Sequence, residues 1–117
     1  MLSFVEAIAR EEGFYLDGSR AQRNCNPGNL DFEVWQKPFG AVLENHPEPR
    51  FASFPNSDQG WGAMRQLLIK DYYGLTVAQA LNKWAPPVEN QTSSYIQNVC
   101  KWTGLLPTTV LTAANIG

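Results

Sequence analysis

The first apolar pattern along the chain has helical spacing and runs from Ser3 to Glu12. Its apolar residues fill one broad arc of a helical wheel, and Ser3 and Glu6 lie on the polar side. These two residues have the spacing of a capping box, in which each side chain accepts a hydrogen bond from a backbone N–H at the start of a helix. Glu12 falls near the middle of the apolar arc, directly before Gly13. A carboxylate there loses hydration unless it is paired, protonated or lining a cleft, so the pattern singles out Glu12.

Three further helices are predicted in the second half of the chain, from apolar residues at helical spacing and from start and stop signals. The predicted ranges are about Ser57 to Tyr73, Thr76 to Trp84 and about Thr92 to Trp102. The middle helix opens with a capping box formed by Thr76 and Gln79, and a Pro-Pro pair breaks it. A short helical turn is expected after Pro107.

Between the first two helices the pattern changes to loop and strand. Tyr15 to Pro38 is rich in Gly, Asn, Asp and Pro, which predicts an ordered loop. Ala41 to Leu43 and Arg50 to Phe54 are predicted as two short paired strands. The elements add up to an α+β, mainly α-helical fold with a small β-hairpin between the first and second helices, in a single domain of residues 1–117.

Composition narrows the classes of function. The 117 residues are 44% hydrophobic and 12% aromatic, which fits one compact core. A net charge of −2 argues against a nucleic-acid partner, because such a partner is held by neutralising phosphates. No run of 18 apolar residues occurs, so no membrane insertion is expected. The chain opens without a signal peptide, which predicts synthesis in the cytoplasm.

Two cysteines and one histidine offer little catalytic chemistry. Cys25 and Cys100 exclude a disulfide framework, and the start without a signal peptide favours two free thiols over one bridge between them. His46 and two scattered cysteines do not make a zinc site, and no Ser-His or Cys-His motif stands out. We therefore expect neither a metal nor a cofactor.

Several motifs resemble one known family. Ile8-Ala9-Arg10-Glu11-Glu12-Gly13-Phe14 resembles the end of the first core helix in the lysozyme-like superfamily, whose catalytic glutamate directly precedes a glycine. The resemblance is closer to lysozyme-like proteins of phages and prophages, which carry an Arg-Asn-Asn-Asn-Pro-Gly-Asn loop, a Phe-Ala-x-Phe strand and a Trp-Ala-Pro-Pro-x-Glu-Asn segment before a Tyr. The matching residues here are Arg23-Asn24-Cys25-Asn26-Pro27-Gly28-Asn29, Phe51-Ala52-Ser53-Phe54, Trp84-Ala85-Pro86-Pro87-Val88-Glu89-Asn90 and Tyr95. Cys25 stands where that family has Asn.

The resemblance implies a lysozyme-like fold and a peptidoglycan hydrolase of the muramidase type. Such an enzyme cuts the β-1,4 bond between N-acetylmuramic acid and N-acetylglucosamine. A glutamate in apolar surroundings keeps its proton near neutral pH and delivers it to the leaving oxygen. Glu12 is therefore the expected general acid.

A second catalytic carboxylate is not singled out by the sequence. Asp17, Asp31, Glu33 and Glu89 all lie in regions that can reach the predicted cleft. An inverting hydrolase needs a carboxylate about 6.5–9.5 Å from the acid, and a retaining one needs it at about 5–5.5 Å. A lytic transglycosylase instead uses one glutamate first as acid and then as base.

Four polar residues in the first half are candidates for substrate binding. Asn26 and Asn29 either hydrogen-bond the acetamido groups of the sugars or cap turns. Ser53 and Gln59 occupy positions that resemble the cleft floor of the family, and ordinary surface polarity is the alternative.

Three residues in the second half complete the predicted substrate-binding set. Glu89 has a supporting role or is a solvated loop carboxylate, and Asn90 follows it in the matched segment. Tyr95 orients Glu12 or a sugar hydroxyl, or it is an ordinary core residue.

Other functions remain open beside the hydrolase. A phage virion or tail protein of this fold binds the wall without cutting it, and a lytic transglycosylase or a chitinase-like enzyme uses the same acid differently. The expected partner is bacterial peptidoglycan, and the expected state is a monomer. An endolysin made without an export signal reaches the wall through a holin, through a secretion machine or aboard a virion.

Overall fold

The chain folds mainly into α-helices, and a computed structural model describes all of residues 1–117. The helices are α1 (Phe4–Glu11), α2 (Arg20–Arg23), α3 (Ser57–Asp71), α4 (Val77–Trp84), α5 (Thr92–Thr103) and α6 (Ala113–Ile116). A 3-10 helix covers Val34–Phe39, and the strands are β1 (Val42–Leu43) and β2 (Ala52–Ser53). About half of the residues are helical and the strands form one small antiparallel sheet, so the predicted α+β class is confirmed.

Helix α1 begins with the predicted capping box. The backbone N–H of Ser3 donates to the Glu6 carboxylate at 3.0 Å, and the N–H of Glu6 donates to the Ser3 hydroxyl at 3.2 Å. The apolar arc of the helix is buried, since Phe4, Val5 and Ile8 are 0% exposed. Burial of this arc stabilises the helix more than the propensity of eight residues does.

The predicted hairpin is present but shorter than expected. Val42 pairs with Ser53, and Leu43 pairs with Ala52, in antiparallel register. The chain before the hairpin also runs beside β2, because Asp31 forms a bridge with Phe51. This segment forms backbone hydrogen bonds along the outer edge of β2, which the sequence pattern did not predict.

The predicted loop between α1 and β1 contains regular structure. Helix α2 is capped by the Ser19 hydroxyl, which accepts from the N–H of Gln22 at 3.1 Å. The 3-10 helix begins with a capping box formed by Glu33 and Gln36. Both elements are too short to show a periodic apolar pattern, so the prediction of a plain loop was wrong at these two places.

The helices of the second half follow the prediction within about two residues at their ends. Gly74 and Gly104 have left-handed backbones, with φ of 87° and 77°, where α3 and α5 stop. The helical turn expected after Pro107 is instead a β-turn, closed by the N–H of Thr109 on the carbonyl of Leu106 at 3.0 Å. The last helix forms later, where Thr112 supplies a capping side chain.

The chain divides into two compact units. The loop unit is Ile8–Gln66, and the helical unit is Met1–Ala7 with Leu67–Gly117. The buried residues of the loop unit include Leu30, Phe54 and Met64, and those of the helical unit include Leu68, Leu81 and Val99. The expectation of a single domain stays a prediction. None of the helices is both long enough and apolar enough to cross a bilayer.

Candidate functional site

Glu12 directly follows the last residue of helix α1 and occupies its C-cap position. Its backbone N–H donates to the carbonyl of Ile8 at 2.9 Å, which is the last bond in the helical pattern. The side chain of Glu12 is half-buried. The sequence placed this glutamate in the last turn of the helix; the structure ends the helix one residue earlier and places Glu12 between Glu11 and Gly13.

The turn after Glu12 is a Schellman motif. The N–H of Phe14 donates to the carbonyl of Ala9 at 3.0 Å, and the N–H of Gly13 donates to the carbonyl of Arg10 at 3.1 Å. Gly13 adopts φ of 83°, a conformation that an L side chain disfavours. The motif fixes the direction in which the chain leaves the helix, and so it fixes the backbone that carries Glu12.

Asn29 binds Glu12 from the loop. Its Nδ2 donates to the Oε1 atom of Glu12 at 3.1 Å and to the backbone carbonyl of Glu12 at 3.2 Å. The Oδ1 atom of Asn29 is buried and has no hydrogen-bond partner. Asn29 also has a left-handed backbone, with φ of 48°. The structure thus joins two of the predicted site residues directly.

Asn26 is fully buried and holds the loop against the hairpin. Its Nδ2 donates to the carbonyls of Leu30 at 3.0 Å and Ala52 at 2.9 Å, and its Oδ1 accepts from the N–H of Leu30 at 2.9 Å. A side chain that is 0% exposed, with its donor and acceptor atoms engaged, offers nothing to a sugar. The structure therefore favours the turn-capping alternative for Asn26.

The first turns of α3 lie against the same loop. A Cβ atom at Gly60 would collide with the carbonyl oxygen of Cys25, so this helix approaches the loop backbone as closely as a glycine allows. Gln59, one residue earlier, is half-buried, and its N–H donates to the capping side chain of Asn56 at 3.0 Å. Ser53 is half-buried in β2. Gln59 and Ser53 therefore belong to the loop unit, as Glu12 does.

Aromatic rings follow Glu12 along the chain. Phe14 packs edge-to-face on Tyr15 and on Trp61, with ring centroids 5.5 Å and 5.4 Å apart. The guanidinium of Arg65 lies 5.6 Å from the centre of the Trp61 ring. Tyr15 is half exposed.

A buried carboxylate that the sequence did not single out lies at the base of the hairpin. Glu44 is 5% exposed and accepts two bonds from Arg20, at 2.9 Å from Nε and 2.6 Å from Nη2. It also accepts from Asn24 Nδ2 and from the backbone N–H groups of Arg50 and Phe51. The hydrogen bonds from Arg20, followed by those from the backbone and Asn24, hold the pKa of Glu44 well below its usual range despite burial.

This network is structural, because five donors occupy the Glu44 carboxylate. The bonds to Glu44 in turn raise the pKa of the Arg20 guanidinium. The partners lie 6 to 24 residues away along the chain, so no local sequence motif predicts the role of Glu44. The one usable signal was an acidic residue directly after an apolar strand.

The carboxylates that the sequence did single out are engaged or exposed. Asp31 pairs with Arg50 at 2.6 Å, and both side chains are about half exposed. Glu33 accepts from the indole N–H of Trp35 at 2.6 Å. Asp17 is exposed.

The remaining predicted site residues lie in the helical unit. Glu89 and Asn90 are exposed in the turn before α5, where the Asn90 amide donates to the carbonyl of Pro86 at 3.3 Å. Tyr95 is buried in α5, at 4% exposure. Their participation in one site with Glu12 stays a prediction.

The structure contains no group of three or more His, Cys, Asp or Glu side chains arranged to hold a metal ion. Cys25 and Cys100 are free thiols, and burial raises the pKa of Cys100. No protein-family profile matches the chain, and no curated protein sequence matches it significantly.

Proposed function

We propose that this protein cuts the glycan strands of bacterial peptidoglycan at the β-1,4 bond between N-acetylmuramic acid and N-acetylglucosamine, with Glu12 as general acid. One observation carries the proposal: Glu12 is half-buried directly after the first helix, and the amide of a loop residue donates to its carboxyl group. Proton delivery to a leaving oxygen needs a carboxyl group that is fixed in place and partly desolvated.

The proposed role requires Glu12 to hold a proton until the glycosidic bond breaks. Partial burial removes hydration that an ionised carboxylate needs. The end of α1 also presents the partial negative charge of the helix dipole, which favours the neutral form. The amide of Asn29 acts in the opposite sense, because it donates to the carboxyl group. A group that gives up and recovers a proton in each cycle needs such a balance.

The order of elements supports a lysozyme-like fold for this site. A helix ending in the acid, a polar loop, a small hairpin and a longer helix follow one another as α1, the loop, β1 with β2, and α3. The loop motif and β2 are the segments that resemble phage and prophage proteins. On this fold Ser53 and Gln59, which lie in the same unit as Glu12, belong to the cleft floor.

The chemical step begins at the Glu12 hydroxyl. Its proton passes to the glycosidic oxygen as the bond from that oxygen to the anomeric carbon breaks. In hydrolysis, water attacks the anomeric carbon, its hydroxyl stays on the sugar, and its second proton returns to a carboxylate. In lytic transglycosylation, a hydroxyl of the same sugar attacks instead, and its proton returns to Glu12.

Three carboxylates of the loop unit are engaged by other groups, which bears on the choice between hydrolysis and lytic transglycosylation. Glu44 is saturated by five donors, Asp31 is paired with Arg50, and Glu33 is bound by Trp35. None of these three offers the unengaged base that activates water in an inverting hydrolase. A single glutamate that serves as acid and then as base needs no such partner.

The proposed setting follows from the substrate. The protein acts as a monomer on the bacterial wall, as an endolysin or as a component of a phage virion. It reaches the wall through a holin, through a secretion machine or aboard the virion. No metal or cofactor has a part in the proposed reaction.

Digestion of purified peptidoglycan tests the proposal, with released products identified by mass spectrometry. We expect muropeptides from the wild type and from Glu11→Gln, and none from Glu12→Gln. Full-mass products indicate hydrolysis, and products lacking one water indicate lytic transglycosylation. If the wild type releases nothing but still pellets with the wall, the enzyme proposal fails and the protein is a wall-binding module.

A further inference from the structure

Asn29 combines three features that are unusual in one residue. Its backbone is left-handed, with φ of 48°. Its Oδ1 is buried without a hydrogen-bond partner. Its Nδ2 donates to two different oxygens of Glu12. The left-handed backbone and the unpartnered Oδ1 each lower the stability of the fold. Features of this kind are found mainly where a functional or structural contact requires that particular geometry.

The orientation of the Asn29 amide is set by Glu12. The backbone carbonyl of Glu12 and its Oε1 both accept hydrogen bonds, and both face the same amide nitrogen at 3.2 Å and 3.1 Å. Rotating the amide by half a turn would bring Oδ1 against these two oxygens. Because that arrangement is repulsive, Nδ2 points at Glu12 and Oδ1 is left without a donor.

The contact also fixes the rotamer of Glu12. One amide group bridges the backbone carbonyl and the side-chain carboxyl of the same residue. The carboxyl group cannot rotate away from this position without losing a hydrogen bond. The oxygen that accepts from Nδ2 is favoured as the unprotonated oxygen, so the transferable proton is assigned to Oε2.

Other residues of the loop bind it to the hairpin. Asn26 fastens the loop to Leu30 and to Ala52 in β2. The carbonyl of Asn24 accepts from the N–H of Phe54 at 2.8 Å, and the Asn24 side chain donates to Glu44. A role for Asn29 in holding the loop to the hairpin would therefore duplicate these bonds, whereas its own two bonds go to Glu12 alone.

We propose that Asn29 is a positioning residue, which holds Oε1 of Glu12 so that Oε2 presents the proton to the glycosidic oxygen. The inference deepens the proposed function and rests on it for the reaction. The contact between the amide and the carboxyl group exists without that function. An experiment that observes Glu12 itself therefore separates the two proposals.

The test uses two variants that suit the left-handed backbone. Asn29→Gly keeps this conformation and removes the amide, and Asn29→Asp keeps the shape but replaces the donor nitrogen with an oxygen. Asn45→Gly is the control, because Asn45 is an exposed residue in the loop between the two strands. Circular dichroism and thermal unfolding establish that each variant is folded.

The first readout is the titration of the Glu12 carboxyl carbon by carbon-13 NMR, assigned by its loss in Glu12→Gln. Removing a donor to the ionised form should raise the titration midpoint by about one pH unit in Asn29→Gly. A second carboxylate at this position should raise it further in Asn29→Asp. Arg10 and Glu11, the charged neighbours of Glu12 on α1, are the same in every protein, so the difference isolates Asn29.

The second readout is cleavage of peptidoglycan. In Asn29→Gly we expect kcat to fall by about tenfold to a hundredfold with little change in KM, because the acid is misplaced while the sugar contacts remain. An unchanged Glu12 midpoint in both folded variants would overturn the positioning role. If the wild type cleaves no glycan while the midpoints shift as expected, the proposed function fails and the contact stands.

Discussion

The loop between α1 and β1 passes through the left-handed backbone region at two residues, Cys25 with φ of 50° and Asn29 with φ of 48°. Asparagine tolerates this region because its short polar side chain bonds locally, and cysteine does not. Gly28 lies between them without a positive φ. Cys25 therefore adopts a backbone conformation that is unfavourable for cysteine.

Replacement of Cys25 by asparagine should stabilise the protein. We expect Cys25→Asn to raise the free energy of unfolding by roughly 0.5 to 1 kcal/mol, because an Asn relieves the left-handed strain. The measurement is urea unfolding at neutral pH. Cys25→Ala, which removes the thiol without suiting that conformation, should give no such gain. Equal gains in both variants would contradict the explanation.

Individual residues differed in how far the sequence could predict their roles. Glu12 was predictable because its place in the apolar pattern and its place in the motif agree. Its contact with Asn29 was not, since 17 residues separate them and the loop must first fold. Asn26 and Asn29 had the same two alternative readings in sequence, and only burial distinguishes them.

Helix α3 packs closely on the loop because Gly60 has no side chain. Gly60 lies inside α3, where alanine would ordinarily be better by about 1 kcal/mol. Here a Cβ would collide with the backbone carbonyl of Cys25, which cannot move aside as a flexible side chain does. The close approach is what brings the first turn of α3 against the loop motif.

Substitution of Gly60 should therefore reverse the usual helix preference. We expect Gly60→Ala to lower the free energy of unfolding by about 2 kcal/mol, because the helix must shift away from the loop. Gly62→Ala is the matched control in the same helix, where the new Cβ meets the side-chain ring of Phe39 at 3.1 Å, a neighbour that can give way. Chemical denaturation measures both. A gain in stability for Gly60→Ala would contradict the packing.

Elements with a periodic apolar face or a capping box were predictable from sequence. The capping boxes of α1 and α4 and the pairing of β1 with β2 were confirmed. Helix α2 and the 3-10 helix were missed because four and six residues carry too little periodicity. Their caps at Ser19 and Glu33 were visible in the sequence, but a cap alone does not distinguish a helix from a turn.

The loop unit depends on one buried ion pair. Glu44 and Arg20 form two charge-assisted hydrogen bonds, and Asn24 with two backbone N–H groups completes the network. The network joins α2 to both sides of the hairpin. Removing the Glu44 carboxylate takes the charged acceptor away from five donors, two of them backbone N–H groups, which is more costly than losing an exposed pair.

Loss of this carboxylate should destabilise the whole unit. We expect Glu44→Gln to lower the free energy of unfolding at neutral pH by about 3 kcal/mol. The control is Asp31→Asn, which breaks the exposed pair with Arg50 and should change it by about 0.5 kcal/mol or less. The free energy of unfolding of the wild type and the two variants is measured by denaturant unfolding. Similar losses in the two variants would show that the burial of Glu44 contributes nothing.

The same network gives a pH dependence with a definite sign. The folded pKa of Glu44 lies below its ordinary value of about 4.5, so the network stabilises the fold fully above that pH. This contribution declines as the pH falls below about 4.5 toward the lower folded pKa. The stability difference between wild type and Glu44→Gln should therefore narrow in acid. A constant or widening difference between pH 6 and pH 3, measured by unfolding curves, would refute the assignment.

The most direct test of the account is the rate at which Glu12→Gln and Glu11→Gln cleave peptidoglycan, compared with the wild type. The two substitutions change neighbouring glutamates by the same atoms, and only one removes the proposed acid. We expect Glu12→Gln to lose about 10² to 10⁴ in rate while Glu11→Gln stays within a few-fold of the wild type. Equal rates for the two variants, in proteins that remain folded, would contradict the role of Glu12.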